Sequence, residues 1–400
     1  MEQILRRYNP WWSEEFEQEG ILRENHLNRL SKLRKTKDVV FIVGLRRVGK
    51  TTLMHQFIRQ LINDIDPKTV VYFSMDHPRL TNVSILDVLN EFRKIQGLSF
   101  KKKIHAFIDE VHLHENFEQE LKTIYDMGNV KVFASGSTSI FLIEKGAFLT
   151  GRQRFIELTP FSFKEFLVMR GITIKRGDEH LYLKYCDEYL RLGGLPEYLK
   201  TIDQEYITTL IDSIIYKDVA GRHFISNIGL LRDMIVLLSQ SIGGKMSTRR
   251  IGRILGISHE TVRDYINYFV EANLINLIEK DGKISERKAA PRKIYIADNG
   301  IANVLTPTVN TGSLAENTVF NILRLKSEVR YNIVDSKEID FITRDCIYEV
   351  KYKVDIEQDE IKHLKKVRGK KRKIVITYDL HEKKDNIEFI PLYKFIMENQ

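Results

Sequence analysis

Val39–Val40–Phe41–Ile42–Val43 runs directly into Gly44–Leu45–Arg46–Arg47–Val48–Gly49–Lys50–Thr51–Thr52, and the reading of this stretch decides the fold. Five successive apolar residues indicate a strand buried on both faces, as in the middle of a parallel sheet. The next segment has the pattern G-x-x-x-x-G-K-T and leads into an apolar helical run from Leu53 to Ile62. Strand, glycine-bounded loop and helix in that order are the context of a P-loop. Gly44 and Gly49 let the loop turn tightly, so that the N–H groups of Arg46, Arg47, Val48 and their neighbours surround a β-phosphate. A helix starting near Lys50 adds unpaired N–H groups and the positive end of its dipole. In this reading Lys50 is the point charge for the β- and γ-phosphates, the Thr51 hydroxyl holds Mg²⁺, and Thr52 completes the binding segment. The expected ligand is ATP with Mg²⁺.

Downstream, Thr69–Ser74, Ile104–Ile108, Val130–Ala134 and Phe155–Thr159 are strand-like, with a helix at Ser84–Ile95. Strands alternating with helices predict an α/β fold, a parallel sheet with helices on both faces. The third strand ends in Asp109–Glu110. Asp109 is the expected Mg²⁺ holder, and Glu110 the group that polarises the water attacking the γ-phosphate. Both motifs fall at carboxyl ends of strands, where ligands bind in open α/β sheets. Ser135–Ser139, after the fourth strand, place hydroxyls beside the same phosphate, with Ser137 favoured and Ser135 next. Trp11 and Trp12 beside Pro10 either anchor a neighbouring subunit or pack back onto this part of the chain.

The chain has 400 residues, too many for one hydrophobic core, which implies two or three domains. Its 43% hydrophobic and 29% charged residues are ordinary for a soluble globular protein. A formal charge of +9 points to an anionic partner such as nucleic acid. Cys186 and Cys346 are far apart, which excludes a disulfide framework and a cysteine metal site and fits a reducing compartment. Met1–Trp12 lacks the apolar centre of a signal peptide, and no apolar stretch has the length of a membrane span. The expectation is a cytoplasmic protein with no membrane partner.

Residues 164–222 carry Leu, Tyr and Ile at helical spacing and predict a helical lid. From Leu230 the pattern reads as a helix to Ile242, a helix Ser247–Leu255, a Gly256–Ser258 turn and a helix His259–Ala272. Leu274–Glu279 and an Asp281–Gly282 hairpin tip follow, which makes a winged helix-turn-helix. Arg249, Arg250 and Arg253 lie on its first turn-motif helix, and His259, Thr261 and Arg263 start the groove-entering one. Arg287, Lys288, Arg292 and Lys293 follow the wing.

In the carboxyl-terminal part, Glu316 lies on a helix Leu314–Arg324, Asp340 on one strand, and Glu349 and Lys351 on the next. Period-2 alternation puts Glu349 and Lys351 on one face, and a hairpin partner brings Asp340 beside them, forming a candidate divalent-metal site. The arrangement resembles the restriction-endonuclease-like core of the PD-(D/E)xK type. The run Lys365–Lys373 is basic, a candidate phosphate tracker or a solvated face.

Gly44–Thr52, Phe107–Val111, Ser135–Ser139, Gly151–Arg152 with Pro160–Phe166, and Gly193–Glu197 together resemble AAA-type ATPases of the additional-strand class, a widespread archaeal and bacterial group. The resemblance spans nearly the whole chain. It implies that an arginine acts on a neighbouring subunit's nucleotide, and Arg152 matches that position, with Arg154 its rival. It also implies that Pro196, in a glycine–leucine–proline turn, rests on adenine, and it relates Arg23–Glu24 to an adenine-side motif. The expected segments are 1–35 amino-terminal, 36–165 ATPase core, 166–225 lid, 226–298 winged helix and 299–400 nuclease-like. The expected function is ATP hydrolysis coupled to DNA remodelling or translocation by an oligomer, possibly ring-shaped. Alternatives are an ATP-gated switch acting on a partner protein, or an ATP-gated metal-dependent nuclease.

Overall fold

The apolar run forms strand β1 (Val39–Val43), with every residue buried. The computed structural model describes residues 1–14, 16–17, 20–136, 149–367 and 369–399. The chain divides into two compact units, Met1–Thr159 with Glu271–Asn273, and the remainder from Pro160 to Gln400.

In the first unit, β1 is joined by β2 (Val70–Ser74), β3 (Ile104–Asp109), β4 (Val130–Gly136) and β5 (Gln153–Glu157). The strand order is β2–β3–β4–β1–β5, with every pair parallel. β4 therefore lies between the strand that carries the glycine loop and the strand that ends in Asp109. Alternation along the strands separates two faces. Val39, Phe41, Val43, Ala106 and Ile108 pack with Val88 and Phe92 of the helix Ile85–Gln96 and Leu121 of the helix Phe117–Met127. On the opposite face, Phe57 of the helix Lys50–Leu61 meets Phe107 and Phe133, with centroids 6.0 and 5.2 Å away.

The amino-terminal segment covers both edges of this sheet with side chains. At β2, the Asn9 amide donates to Tyr72 O at 2.8 Å and its carbonyl accepts from Tyr72 N at 2.6 Å, as a neighbouring strand would. The indole N–H groups of Trp11 and Trp12 donate to Val70 O at 3.3 and 2.8 Å, so both tryptophans pack back onto their own unit. At β5, the helix Glu24–Leu33 and its preceding residue present three groups at spacing three. Arg29 donates to Phe155 O at 3.1 Å, His26 Nε2 lies 3.3 Å from Glu157 O, and Arg23 donates to Thr159 O at 2.8 Å. Alternate carbonyls of β5 and of the residues just after it thus meet one helix face.

The second unit begins with helices that include Leu181–Leu192 and Gln204–Ser213. The helices Ile228–Ser239, Thr248–Leu255 and His259–Glu271 follow, with Ser247 capping the second and Gly256 ending it at φ +68°. β6 (Ile275–Ile278) pairs antiparallel with β7 (Lys293–Ile296), and Ile242 and Lys245 bridge to β7 from its other side. The expected tight Asp281–Gly282 hairpin is not present. Instead Tyr331 N donates to Glu279 O at 3.2 Å and Asp281 N to Tyr331 O at 2.6 Å, and a helix Ile284–Ala289 completes the return. Tyr331 belongs to β8 (Arg330–Val334). β8 opens a six-stranded sheet with β9 (Lys337–Ile342), β10 (Cys346–Lys351), β11 (Arg372–Thr377), β12 (Glu382–Lys384) and β13 (Ile387–Pro391), ordered β12–β13–β11–β10–β9–β8. The β9–β10 pair is antiparallel and the β10–β11 and β11–β13 pairs are parallel.

Candidate active site

The loop after β1 is shaped by two glycines. Gly44 sits at φ +147°, and a Cβ there would lie 2.2 Å from Leu158 O, so no larger residue fits. Gly49 is at φ +99° and leads into the helix Lys50–Leu61, whose first N–H groups face the loop end. The Lys50 ammonium is buried and donates to Gly44 O at 3.0 Å and Leu45 O at 3.1 Å.

Asp109, at the end of β3, is the centre of a hydroxyl cluster. Its Oδ2 accepts from the Thr51 hydroxyl at 2.6 Å and from the Tyr72 hydroxyl at 2.9 Å. Its Oδ1 accepts from Ser135 Oγ and from Glu110 N, the latter at 3.2 Å. Glu110 N also lies 3.1 Å from Ser135 Oγ. Burial, followed by the Asp109 charge, raises the Tyr72 phenol pKa well above its ordinary value, so Tyr72 keeps the proton that it donates to Asp109. Glu110 has the left-handed φ of +47°, uncommon for a non-glycine residue, and its Oε2 lies 3.4 Å from His112 Nδ1. The structure brings together Lys50, Thr51, Asp109, Glu110 and Ser135. Ser137 lies outside the described residues, and Ser135 is the β4 hydroxyl that meets Asp109. Tyr72 is the functional candidate that sequence reading missed.

Arg152 is not brought to this cluster. It precedes β5, whose Gln153 pairs with Val39 at the amino end of β1, opposite the loop end, and its guanidinium lies 3.8 Å from Asp126. Arg154 pairs with Asp38 at 3.1 Å. Pro196 belongs to the second unit, where it starts the helix Pro196–Thr201. Its turn is fixed by Gly194 N donating to buried Asp298 at 2.7 Å and Gly194 O accepting from Phe161 N at 2.6 Å. Burial pushes the Asp298 carboxyl up to about 6, although three backbone N–H groups oppose that shift. The Arg23 guanidinium is engaged by Thr159 O at the β5 edge.

The nuclease-like set lies within the second unit. The register Tyr348↔Phe341 puts Glu349 of β10 beside Asp340 of β9. Lys351 Nζ donates to Glu349 Oε1 at 2.6 Å, and His363 Nε2 is 3.4 Å from Glu349 Oε2. Asp340 Oδ2 accepts from Val350 N at 2.8 Å. Burial first, then Glu316 and Glu349, raise the Asp340 carboxyl well above its ordinary value. Lys293 of β7, read from sequence as a cation following the wing, is fully buried and bonds Glu316 Oε1 at 2.8 Å and Glu338 Oε1 at 2.6 Å. Among the described residues no three His, Cys, Asp or Glu side chains are grouped to hold a metal.

The other basic stretches are largely ion-paired. Arg287, Lys288 and Arg292 converge on Glu279 at 2.5, 3.7 and 3.7 Å. Lys365, Lys366 and Arg372 pair with Asp385, Asp335 and Glu388. Arg249, Arg250 and Arg253 are exposed and make no ion pair among the described residues.

Residues 36–167 match a family model described as an AAA domain, and residues 183–311 match one described as a domain of unknown function. Uncharacterized protein MJ1544 of Methanocaldococcus jannaschii is 30% identical over 355 residues, covering 85% of this chain and 75% of that protein. The chain belongs to its family. An uncharacterized protein of Haemophilus influenzae is 26% identical over 398 residues, 94% of this chain and 99% of that one. Among solved structures, AMPPCP-bound DnaA from Aquifex aeolicus aligns with 18% identity and a TM-score of 0.28, covering 63% of this chain and 90% of that chain. The S. cerevisiae Hsp104–ADP complex gives 16% identity and a TM-score of 0.32, over 64% of this chain and 40% of that chain. The AAA-domain match and the strand order β2–β3–β4–β1–β5 give the first unit of this family member an AAA-type, P-loop ATPase fold. No helix among the described residues is long and apolar enough to cross a membrane.

Proposed function

We propose that this protein hydrolyses ATP at the Gly44–Thr52 loop and couples turnover to work on DNA. The observation that carries the ATP reading is the hydroxyl–carboxylate contact between Thr51 and Asp109, with Glu110 next in sequence and Ser135 alongside. An all-oxygen donor set of this kind suits a hard cation such as Mg²⁺. Mg²⁺ bound with ATP would neutralise charge on the β- and γ-phosphates. Thr51 and Asp109 are the residues that would hold it. Lys50 exchanges its loop carbonyls for phosphate oxygens, and the helix amino terminus receives the same anion. Glu110 accepts a proton from water, and His112, 3.4 Å from it, orients the carboxylate. Arg152, remote from the loop of its own chain, serves a second copy, which makes the active form an oligomer.

The DNA reading is supported by Arg249, Arg250 and Arg253, which share the exposed arc of the helix Thr248–Leu255 in a three-helix arrangement with a β-bridge, as in a winged helix. Unpaired guanidinium groups suit phosphate oxygens. The test is the MgATP hydrolysis rate of the purified chain alone and with duplex, branched or single-stranded DNA at low salt. Hydrolysis with no binding to any DNA removes the coupling and leaves the ATPase. No hydrolysis and no nucleotide retention removes both.

A further inference from the structure

The carboxylates Glu316, Asp340 and Glu349 resemble a set that takes a divalent metal, yet in this chain their surroundings do not fit one. We infer that the ammonium of Lys293 is the resident cation of this cluster, and that the cluster is an ion-pair lock between β7 and the carboxyl-terminal sheet instead of a metal centre.

Lys293 Nζ lies 2.8 Å from Glu316 Oε1, 2.6 Å from Glu338 Oε1 and 3.8 Å from Asp340 Oδ1. Glu316 Oε1 also accepts from the Tyr295 hydroxyl at 2.8 Å. A Cβ on Gly243 would lie 2.7 Å from Glu316 Oε2, so backbone walls that side. Glu338 Oε2 is taken by Lys245 at 2.8 Å. Asp340 Oδ2 holds Val350 N, and the two oxygens of Glu349 face Lys351 and His363. A divalent ion needs about six or more oxygen ligands. Here the oxygens face the ammonium groups of Lys293, Lys245 and Lys351, the His363 ring or the backbone, and an added ion would stand against a buried ammonium. Those of Asp109, in contrast, face mainly hydroxyls that can themselves ligate a cation.

The sequence explains how the lysine arrives. Period-2 alternation in β7 puts Lys293 and Tyr295 on one face, and both are fully buried. The Lys293 ammonium also lies 5.8 Å from the Tyr295 ring centroid and 6.0 Å from that of Phe341, a setting that favours a cation. The lock therefore connects the helix-turn-helix strand to Glu316 on the helix Thr311–Leu323 and to β9. As folded, this core does not support metal-dependent cleavage.

The test is Mn²⁺ binding to the full chain without nucleotide, read by electron paramagnetic resonance and calorimetry. The wild-type chain and Asp340→Asn should bind Mn²⁺ equally, because neither has an ion at the cluster. Lys293→Met frees Glu316 Oε1, Glu338 Oε1 and Asp340 Oδ1, with water as the remaining ligands. It should gain one Mn²⁺ per chain, bound about tenfold or more tightly than any wild-type ion, as expected when a like charge is removed. That gain should vanish in Lys293→Met/Asp340→Asn. Wild-type Mn²⁺ binding that disappears in Asp340→Asn would overturn the inference, as would a folded Lys293→Met chain that binds no more than wild type. If circular dichroism shows Lys293→Met unfolded, Lys293→Gln, which keeps a polar but uncharged side chain at this position, takes its place with the same readouts. The wild-type comparison stands in either case, and neither result bears on ATP hydrolysis.

Discussion

The Tyr72 hydroxyl donates to Asp109 Oδ2 at 2.9 Å, on the same oxygen that accepts from Thr51. Tyr72 is thus a positioning residue for the carboxylate expected to hold Mg²⁺. Tyr72→Phe keeps the ring packing on His55, at 4.7 Å, and removes only the donor. Partners behind a metal-holding group are worth about 10–100-fold in metal affinity or activity. The Mg²⁺ concentration for half-maximal hydrolysis should rise by about that factor, with ATP binding in EDTA unchanged. Equal loss of both would mean that Tyr72 only supports the fold.

Glu110→Gln separates retention of nucleotide from its hydrolysis. The amide keeps the size and the αL backbone of Glu110 but cannot accept a proton. General-base removal lowers turnover by about 10²–10⁴-fold. ATP should remain bound, measured by filter retention or fluorescent analogue, while phosphate release falls into that range. Turnover at the wild-type rate would rule out the role given to Glu110.

Asn9 acts as a single-residue strand on the β2 edge. Asn9→Leu leaves the buried Tyr72 N–H and C=O without partners, and each such group costs about 1–3 kcal/mol. For the two groups together, urea unfolding should show a loss of about 2–6 kcal/mol. Asn9→Asp puts a buried carboxylate against the Leu5 and Tyr72 carbonyls and should lose at least as much as Asn9→Leu. Equal stability of all three would show that the edge contact contributes nothing.

What was legible in the sequence was local. The β1 run, the glycine loop and the Asp109–Glu110 strand end are contiguous patterns, and each element formed where the pattern put it. The insertion of β4 between β1 and β3 was not legible, because strand order is set by crossover connections that leave no periodic mark. Asn9 and Tyr72 are 63 positions apart, and a side chain that imitates a strand has no sequence signature. Ser135 meets Asp109 from the end of β4, while Ser137, the hydroxyl that the sequence favours, lies outside the described residues. Lys293 was legible in principle, since K-I-Y-I alternates, but its charge argued for solvent. The basic run near Lys365 reads either as a phosphate tracker or as a solvated face, and its ion pairs are not legible because the partners, Asp335 and Asp385, lie elsewhere in the chain.

Acid should weaken this fold in a defined window. Burial, aided by nearby cations, lowers both His26 and His105 from 6.5 to about 4. The folded state therefore binds fewer protons than the unfolded chain between those values. Stability from these groups is fully present above pH 6.5 and falls as pH drops toward 4. Each shift corresponds to at most about 3 kcal/mol. Urea midpoints should decline across that interval, and His26→Gln, which keeps a donor for Glu157 O, should decline less steeply. An unchanged slope would exclude His26 as a contributor.

Arg249, Arg250 and Arg253 should set the salt dependence of DNA binding. Each guanidinium that meets a phosphate releases a counterion and contributes about 0.9 to the slope of log affinity against log salt. Single alanine substitutions should lower that slope by about this amount, nearly equally for different sequences, because phosphate contacts carry no base information. Arg287→Ala, which removes a group already held by Glu279, should leave the slope unchanged apart from any loss of local order. Fluorescence anisotropy between low and moderate salt distinguishes the two sets. If Arg287→Ala lowers the slope and the triple arginine variant does not, the docking face lies at the wing and not on the helix Thr248–Leu255.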